Sequence, residues 1–403
     1  MVWNEQGTDV TRPRVWLVMG TRPEAIKLAP VAGAIAAAGR MEPVLVATGQ
    51  HPAMVDQALE TFGARADVTL PLHRRDGGQP ELLGQMLTGL DELADREPPA
   101  VVVVQGDTTT TLAGTLAAFW RRIPVVHLEA GLRSFDLAAP FPEELNRRLV
   151  TQAASLHLPP TPAAAENLSR ELVPAERIVV TGNTSVDAIR AIADRGAVDY
   201  RDERVAAAVE AATRGKPLVL VTAHRRESWG EPLRQVLRAV AELVARHPEV
   251  HVVLPAHPNP AVRELVGAEL GDVPRVVVTE PLRYDELAGA LAAATLVLSD
   301  SGGIQEEAPT FGVPVLVLRE VTERREAVHA GCARLVGTDR ELIVRTASEL
   351  LADPRARAAM MSNGNPFGDG KAASRTELAL ARLLGLSTEP VEEFAVLSGG
   401  VLV

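Results

Sequence analysis

The feature that most constrains this chain is a repeated alternation. Short β-branched runs ending in polar or glycine-bearing turns are separated by Ala/Leu-rich stretches of helical period. Parallel strands need a crossover, so such repetition builds parallel sheets covered by helices. In the first half, strands are expected at Val15–Met19, Val44–Ala47, Val101–Gln105, Val125–Leu128 and Ile178–Thr181. In the second half they are expected at Leu218–Thr222, Val252–Pro255, Arg275–Thr279, Leu296–Ser299, Val315–Leu318 and Arg334–Val336. A chain of 403 residues exceeds one ordinary core. The expectation is therefore α/β, with two Rossmann-like domains over 1–182 and 183–370. The charged, Ala-rich segment Asn183–Lys216 reads as the helical connection. A helix over 371–388 is expected to pack back on the first domain, with a peripheral tail over 389–403.

Charge narrows the partners. Lys plus Arg number 41 against 52 for Asp plus Glu, a net charge of −11. This argues against nucleic acid and anionic membrane as partners, but an anionic small molecule needs only local positive charge. A single cysteine, Cys332, rules out a disulfide framework and any cysteine-based metal cluster. No apolar run has transmembrane length, and Met1–Arg14 is polar, so a cytoplasmic location is expected. The first strand runs into Gly20-Thr21-Arg22-Pro23-Glu24, which lacks the dinucleotide fingerprint, so no nicotinamide is expected.

In open α/β sheets ligands bind outside the carboxyl ends of the strands, so chemistry is sought there. After Leu296–Ser299 comes Ser301-Gly302-Gly303, then a helix closing at Gly312 and Pro314. Glycines at a helix start let backbone N–H groups reach a phosphate, and Glu306 or Glu307 one turn on can accept from a ribose diol. A tight strand–helix turn is the plainer reading. Arg22 and Lys27 follow strand one and can address an anion or be solvated charge. Asp107 follows strand three and can cap the next helix. Glu129 lies just past a buried strand, where a carboxylate is costly unless paired or useful. Glu143 and Glu144 open a helix, and pairing with Arg147 or Arg148 is the structural alternative for Glu144. In the second half, His224, Arg225 and Arg226 end one strand and His257 another, while Arg324 follows Val315–Leu318. The first half thus presents carboxylates and the second presents phosphate binders, suggesting a cleft with a diphosphate on one wall and a sugar at the other.

With these residues assembled, the chain resembles the bacterial non-hydrolysing UDP-N-acetylglucosamine 2-epimerases. GTRPEAIKLAPV, TGQH, VQGDTTTTLA, HLEAGLRS, PFPEELNRRL, VTGNT, TAHRRES, AHPNP, SDSGGIQEEAP, TER and LVGTD match in order over roughly residues 14 to 385. The resemblance implies a glycosyltransferase-B-like fold with its active site in the interdomain cleft, a homodimer, and interconversion of UDP-GlcNAc and UDP-ManNAc without metal or other cofactor. The family route is anti-elimination of UDP to a 2-acetamidoglucal, then re-addition after protonation from the other face. Matched by position, it gives acid/base and sugar contacts to Asp107, Glu129 and Glu143. It gives UDP contacts to Arg22, Lys27, His224, Ser301, Gly302, Gly303, Glu307 and Arg324, with His224 also a candidate proton carrier. Gln50, Arg225 and His257 match positions that line an additional UDP-GlcNAc activator site in some members.

Three positions depart from the family. Arg325 replaces the proline after TER, Pro52 the arginine after TGQH, and Leu287 the aromatic near the uracil, for which Tyr284 is a possible compensating contact. The competing functions are a hydrolysing 2-epimerase, an epimerase for a modified UDP-HexNAc, a glycosyltransferase of the same fold, and a non-enzymatic nucleotide-sugar sensor.

Overall fold

Both halves of the chain fold by the same device, an apolar strand followed by a helix that covers it. A computed structural model describes residues 12–73, 77–223, 225, 228–395, 397–398 and 401–402. They divide into two compact units. One runs to Ala188 and resumes over Gly368–Ala395; the other contains Ile189–Phe367.

The strands of unit 1 are β1 (Arg14–Met19), β2 (Glu42–Ala47), β3 (Val68–Thr69), β4 (Val101–Gln105), β5 (Val125–Leu128) and β6 (Leu156–Leu158). All pair in parallel, in the order β3-β2-β1-β4-β5-β6. The helices are α1 (Arg22–Ala38), α2 (Pro52–Thr61), α3 (Gln79–Arg96), α4 (Thr109–Trp120), α5 (Glu143–Ala153) and α6 (Pro162–Arg170), with α7 (Thr184–Ala193) leading into unit 2. Trp16, Val18, Val102 and Val104 pack against Leu82, Met86 and Leu90 of α3 and Ala113 and Ala117 of α4. Valine-rich strands buried on both faces are what a helix-covered parallel sheet requires.

Unit 2 begins with α8 (Glu203–Thr213), then β7 (Leu218–Thr222), α9 (Glu231–Arg246), β8 (His251–Pro255), α10 (Pro260–Leu270) and β9 (Val276–Thr279). It continues through α11 (Tyr284–Ala293), β10 (Leu296–Ser299), α12 (Gly302–Glu307), β11 (Val315–Val317), α13 (Arg325–His329), β12 (Ala333–Leu335), α14 (Arg340–Ala352) and α15 (Pro354–Met360). The sheet order is β12-β11-β10-β7-β8-β9, the same doubly wound scheme as in unit 1. Helix α9 shows the sequence logic plainly: Leu233, Val236, Leu237, Val240, Leu243 and Val244 recur at helical spacing and are all buried. The last helix, α16 (Ala372–Leu383), belongs to unit 1 and packs on α1. Asp187 accepts from its first backbone N–H groups, Ala373 at 2.8 Å and Ala372 at 3.2 Å.

Three expectations change. Ile178–Thr181 is not a strand. Ile178 makes one isolated bridge to His157, and the sixth strand is Leu156-His157-Leu158, whose central histidine hid its apolar character. Helix α12 also starts earlier than the glycines suggested, since Gly302 and Gly303 are its first two residues. Finally, the expected peripheral tail over 389–403 is not peripheral at Glu392–Phe394. Arg375 donates to Glu392 O at 2.7 Å, Phe394 N–H donates to Val180 O at 2.8 Å, and Phe394 is buried. No helix among the described residues is long and apolar enough to cross a membrane.

Candidate active site

In unit 1 the order of the sheet reverses at β1 and β4, the switch point where ligands of such sheets bind. The β1–α1 turn is organised by Glu24, a buried carboxylate. It accepts from Gly20 N–H at 2.9 Å, Thr21 N–H at 2.8 Å, Thr21 Oγ1 at 2.9 Å and Thr108 Oγ1 at 2.6 Å. Burial raises the Glu24 pKa, against hydrogen bonds that lower it. Sequence reasoning passed over Glu24, although Thr21-x-x-Glu24 is a readable capping-box spacing.

Asp107 does not cap α4. Thr108 does, its Oγ1 accepting from Thr111 N–H at 3.2 Å. Asp107 is held instead by Arg147, whose Nη2 lies 2.7 Å and Nε 2.9 Å from Oδ2, and Asn146 donates to its carbonyl at 2.8 Å. Glu144 proves structural: fully buried, it accepts from Ser134 and Phe135 N–H and from both Arg147 and Arg148. Burial favours its neutral form, but these donors outweigh it and hold the pKa below the usual range. Glu143, one residue earlier, is half-buried, and its carboxylate has no hydrogen-bond or ion-pair partner among the described residues.

Glu129 adopts a left-handed backbone, φ +60°, which a residue with a side chain adopts only at a cost. Its Oε2 takes Lys27 Nζ at 2.6 Å and the Gln105 side-chain amide. Lys27 is thus engaged with a carboxylate, while Arg22 is the first residue of α1. Beneath this edge His127 donates through Nε2 to Gly106 O at 2.7 Å, and burial pulls its pKa down to about 4. A neutral imidazole fixes the turn that presents Asp107. Gln50 lies at the same edge, accepting from Thr110 Oγ1 at 3.0 Å. Pro52, in the place of the expected arginine, simply starts α2.

In unit 2 the corresponding switch point lies at β7 and β10. Ser301 N-caps α12 by position, and the guanidinium of Arg324 lies over Gly302, its carbon 3.6 Å from where a Cβ would stand. At Gly303 an added Cβ would meet nothing nearer than Ser301 Oγ at 3.8 Å, and the backbone there is not left-handed. The fold itself therefore does not demand glycine at 303. Arg324 Nε donates to buried Glu306 at 2.6 Å, and its N–H donates to Thr322 Oγ1, itself bonded to Gln305. Arg225 donates to Asp300 through N–H at 2.9 Å and reaches Glu323 at 3.3 Å. Burial would raise Glu323, but Arg324 and Arg319 pull its pKa down to about 2. Three arginines therefore gather at this edge.

Glu307 accepts from the hydroxyl of Tyr284 at 3.0 Å. Tyr284, the possible compensating contact near the uracil, is buried. His257 packs on Trp229 with ring centroids 5.4 Å apart, and its Nδ1 accepts from Asn259 N–H. His224 lies outside the described residues. No group of three or more His, Cys, Asp or Glu positioned to hold a metal occurs among the described residues.

Comparison with known proteins adds an independent line. The family model described as UDP-N-acetylglucosamine 2-epimerase matches residues 33–381. The UDP-N-acetylglucosamine 2-epimerase of Escherichia coli K12 is 45% identical over 368 residues, covering 91% of this chain and 98% of that protein. A 2.2 Å crystal structure of a Listeria monocytogenes protein, described as a UDP-N-acetylglucosamine 2-epimerase by similarity, superposes with a TM-score of 0.87 at 39% identity, covering 96% and 100% of the two chains. The Neisseria meningitidis UDP-GlcNAc 2-epimerase, solved with UDP-GlcNAc bound, gives 0.83 at 37% identity, covering 92% and 100%. The pair of six-stranded parallel sheets is of the glycosyltransferase-B-like kind.

Proposed function

The chain belongs to the UDP-N-acetylglucosamine 2-epimerase family, and we propose that it interconverts UDP-GlcNAc and UDP-ManNAc reversibly, without releasing free sugar. The observation that carries the nucleotide half is the start of α12, where glycine is kept without conformational need and Arg324 is held across it. Gly302 and Gly303 supply backbone N–H groups, Ser301 its hydroxyl because its own N–H is taken by Ser299 Oγ at 3.0 Å, and the arginines supply charge, to a diphosphate.

The sugar half falls to unit 1. The C2 proton of a hexosamine is not α to a carbonyl, so direct abstraction is very slow. As the C1–O bond to UDP breaks, positive charge at C1 acidifies C2–H. A carboxylate then takes that proton, and a C1=C2 double bond forms. Protonation of C2 from the opposite face and return of the UDP oxygen to C1 complete the inversion. Cationic groups stabilise the departing diphosphate, and placed carboxylates move the proton. Asp107 and Glu129 are the candidates, each paired with a cation, Arg147 and Lys27 respectively. Glu143 is the third, half-buried at the start of α5. Gln50, Arg225 and His257 remain candidates for an activator site.

Turnover of UDP-GlcNAc in deuterated water, followed by NMR, tests the reaction. Deuterium is expected at C2 of both nucleotide sugars with no acceptor added. Absence of exchange defeats the proposal, and stoichiometric free ManNAc and UDP would make the protein a hydrolysing enzyme instead.

The same family reading includes a homodimer, for which helices α4 and α5 offer a face. They pack together and expose Phe119, Trp120 (65% exposed), Leu145 and Leu149, more large apolar surface than a helix pair ordinarily leaves in water. Sedimentation is expected to find a dimer that Trp120→Asp converts to monomer. A monomeric wild type at micromolar concentration would remove this assignment.

A further inference from the structure

Tyr284 opens α11 and Glu307 closes α12, and the phenol donates to Oε1 of the glutamate at 3.0 Å. The tyrosine is 3% exposed and the glutamate 7%. We propose that Tyr284 is a positioning residue that sets the plane of the Glu307 carboxylate for the two hydroxyls of a ribose, making the protein selective for ribonucleotides. This rests on the UDP reading above.

A carboxylate this buried is costly unless it is hydrogen-bonded or used. A phenylalanine would fill the same apolar volume, so the hydroxyl serves Glu307 rather than packing. Fixing one carboxylate oxygen removes rotational freedom, and a planar acceptor of two donors gains most from being oriented in advance. Glu306, the adjacent acid, is not available for a diol. It is 1% exposed, and Arg324 Nε sits 2.6 Å from its Oε1. The two neighbouring acids have therefore divided the work. Glu306 aims a cation at the phosphate end, and Glu307 is itself aimed by a phenol. Gln305, the residue before them, anchors Thr322, so three consecutive side chains of α12 each tie down a different contact.

Calorimetry of the full chain with UDP and with 2′,3′-dideoxy-UDP tests this. The wild type is expected to prefer UDP by about tenfold or more, because an acceptor built for a hydroxyl is left unsatisfied by its loss. Tyr284→Phe is expected to lose most of that preference by weakening UDP alone, with a melting temperature lowered by only a few degrees for the donor taken from a buried carboxylate. Tyr284→Leu, a second variant without the hydroxyl, should do the same if the first does not fold. Equal weakening of both ligands, with the preference kept, would make Tyr284 merely structural and overturn the inference. A wild type that binds both ligands equally overturns it too, while leaving UDP binding intact. A wild type that binds neither overturns the UDP reading, and the inference with it.

Discussion

Asp107→Asn is expected to lower UDP-GlcNAc turnover and C2–H exchange by about 10²–10⁴-fold, the usual worth of a placed acid or base, while UDP binding is retained. The substitution is nearly isosteric. Asparagine can still accept from Arg147 through its amide oxygen, and Arg147 keeps its second anion, Glu144, 3.1 Å away. The local fold should therefore survive, and the loss would be chemical. Apart from Arg22 and Lys27, the UDP contacts named above lie in unit 2, and none is Asp107 itself, so calorimetry with UDP should report a Kd close to the wild-type value. Glu129→Gln is the companion experiment. Its amide can still accept from Lys27 and Gln105, yet it cannot take up a proton. If both variants turn over at the wild-type rate while binding UDP, the carboxylates are structural and the protein is a nucleotide-sugar binder.

The largest expected effect on stability is at Gly131, in the loop that follows Glu129. Its φ is +84°, and an added Cβ would stand 2.2 Å from the carbonyl oxygen of Ala164 and 2.8 Å from its carbon. That carbonyl belongs to the first turn of α6, where Ala164 N–H is held by Thr161 Oγ1 at 3.2 Å. Asn167 of the same helix donates to Gly131 O at 3.0 Å, so loop and helix cannot separate cheaply. Gly131→Ala combines a strained backbone with overpacking against main chain. It should cost the unfolding of unit 1 roughly 3–5 kcal/mol in urea titration. Gly303→Ala is the contrasting case, since its Cβ finds only Ser301 Oγ at 3.8 Å. Its stability should stay near wild type while UDP affinity falls. A Gly131→Ala protein as stable as wild type would mean that α6 yields to the loop.

Much of this was legible in the chain. Alternating apolar runs and helical stretches located ten strands within a residue or two, because strand period and turn chemistry are local properties. Two strands were missed: β3, a two-residue edge strand, and β6, which carries a buried histidine at its centre, where burial of His127 and His157 is decided by the neighbouring strand in register. The residues proposed for chemistry were found because they end strands, and in a doubly wound sheet every strand end faces the same edge. Their partners were less legible. Asp107, taken alone, read as a helix cap, and Tyr284 as a compensating contact near the uracil.

Sequence alone therefore determined the fold class, the edge of each sheet at which to look, and the residue types gathered there, since all three follow from order and spacing along the chain. Only the tertiary structure decided what each of those residues is bonded to. Glu129 meets a lysine 102 positions away, Asp107 an arginine 40 away and Glu307 a tyrosine 23 away. Spacing along the backbone does not set distances across a sheet. Yet those distances decide which carboxylates are paired with a cation, which acid holds Arg324, and which glycine the fold could do without.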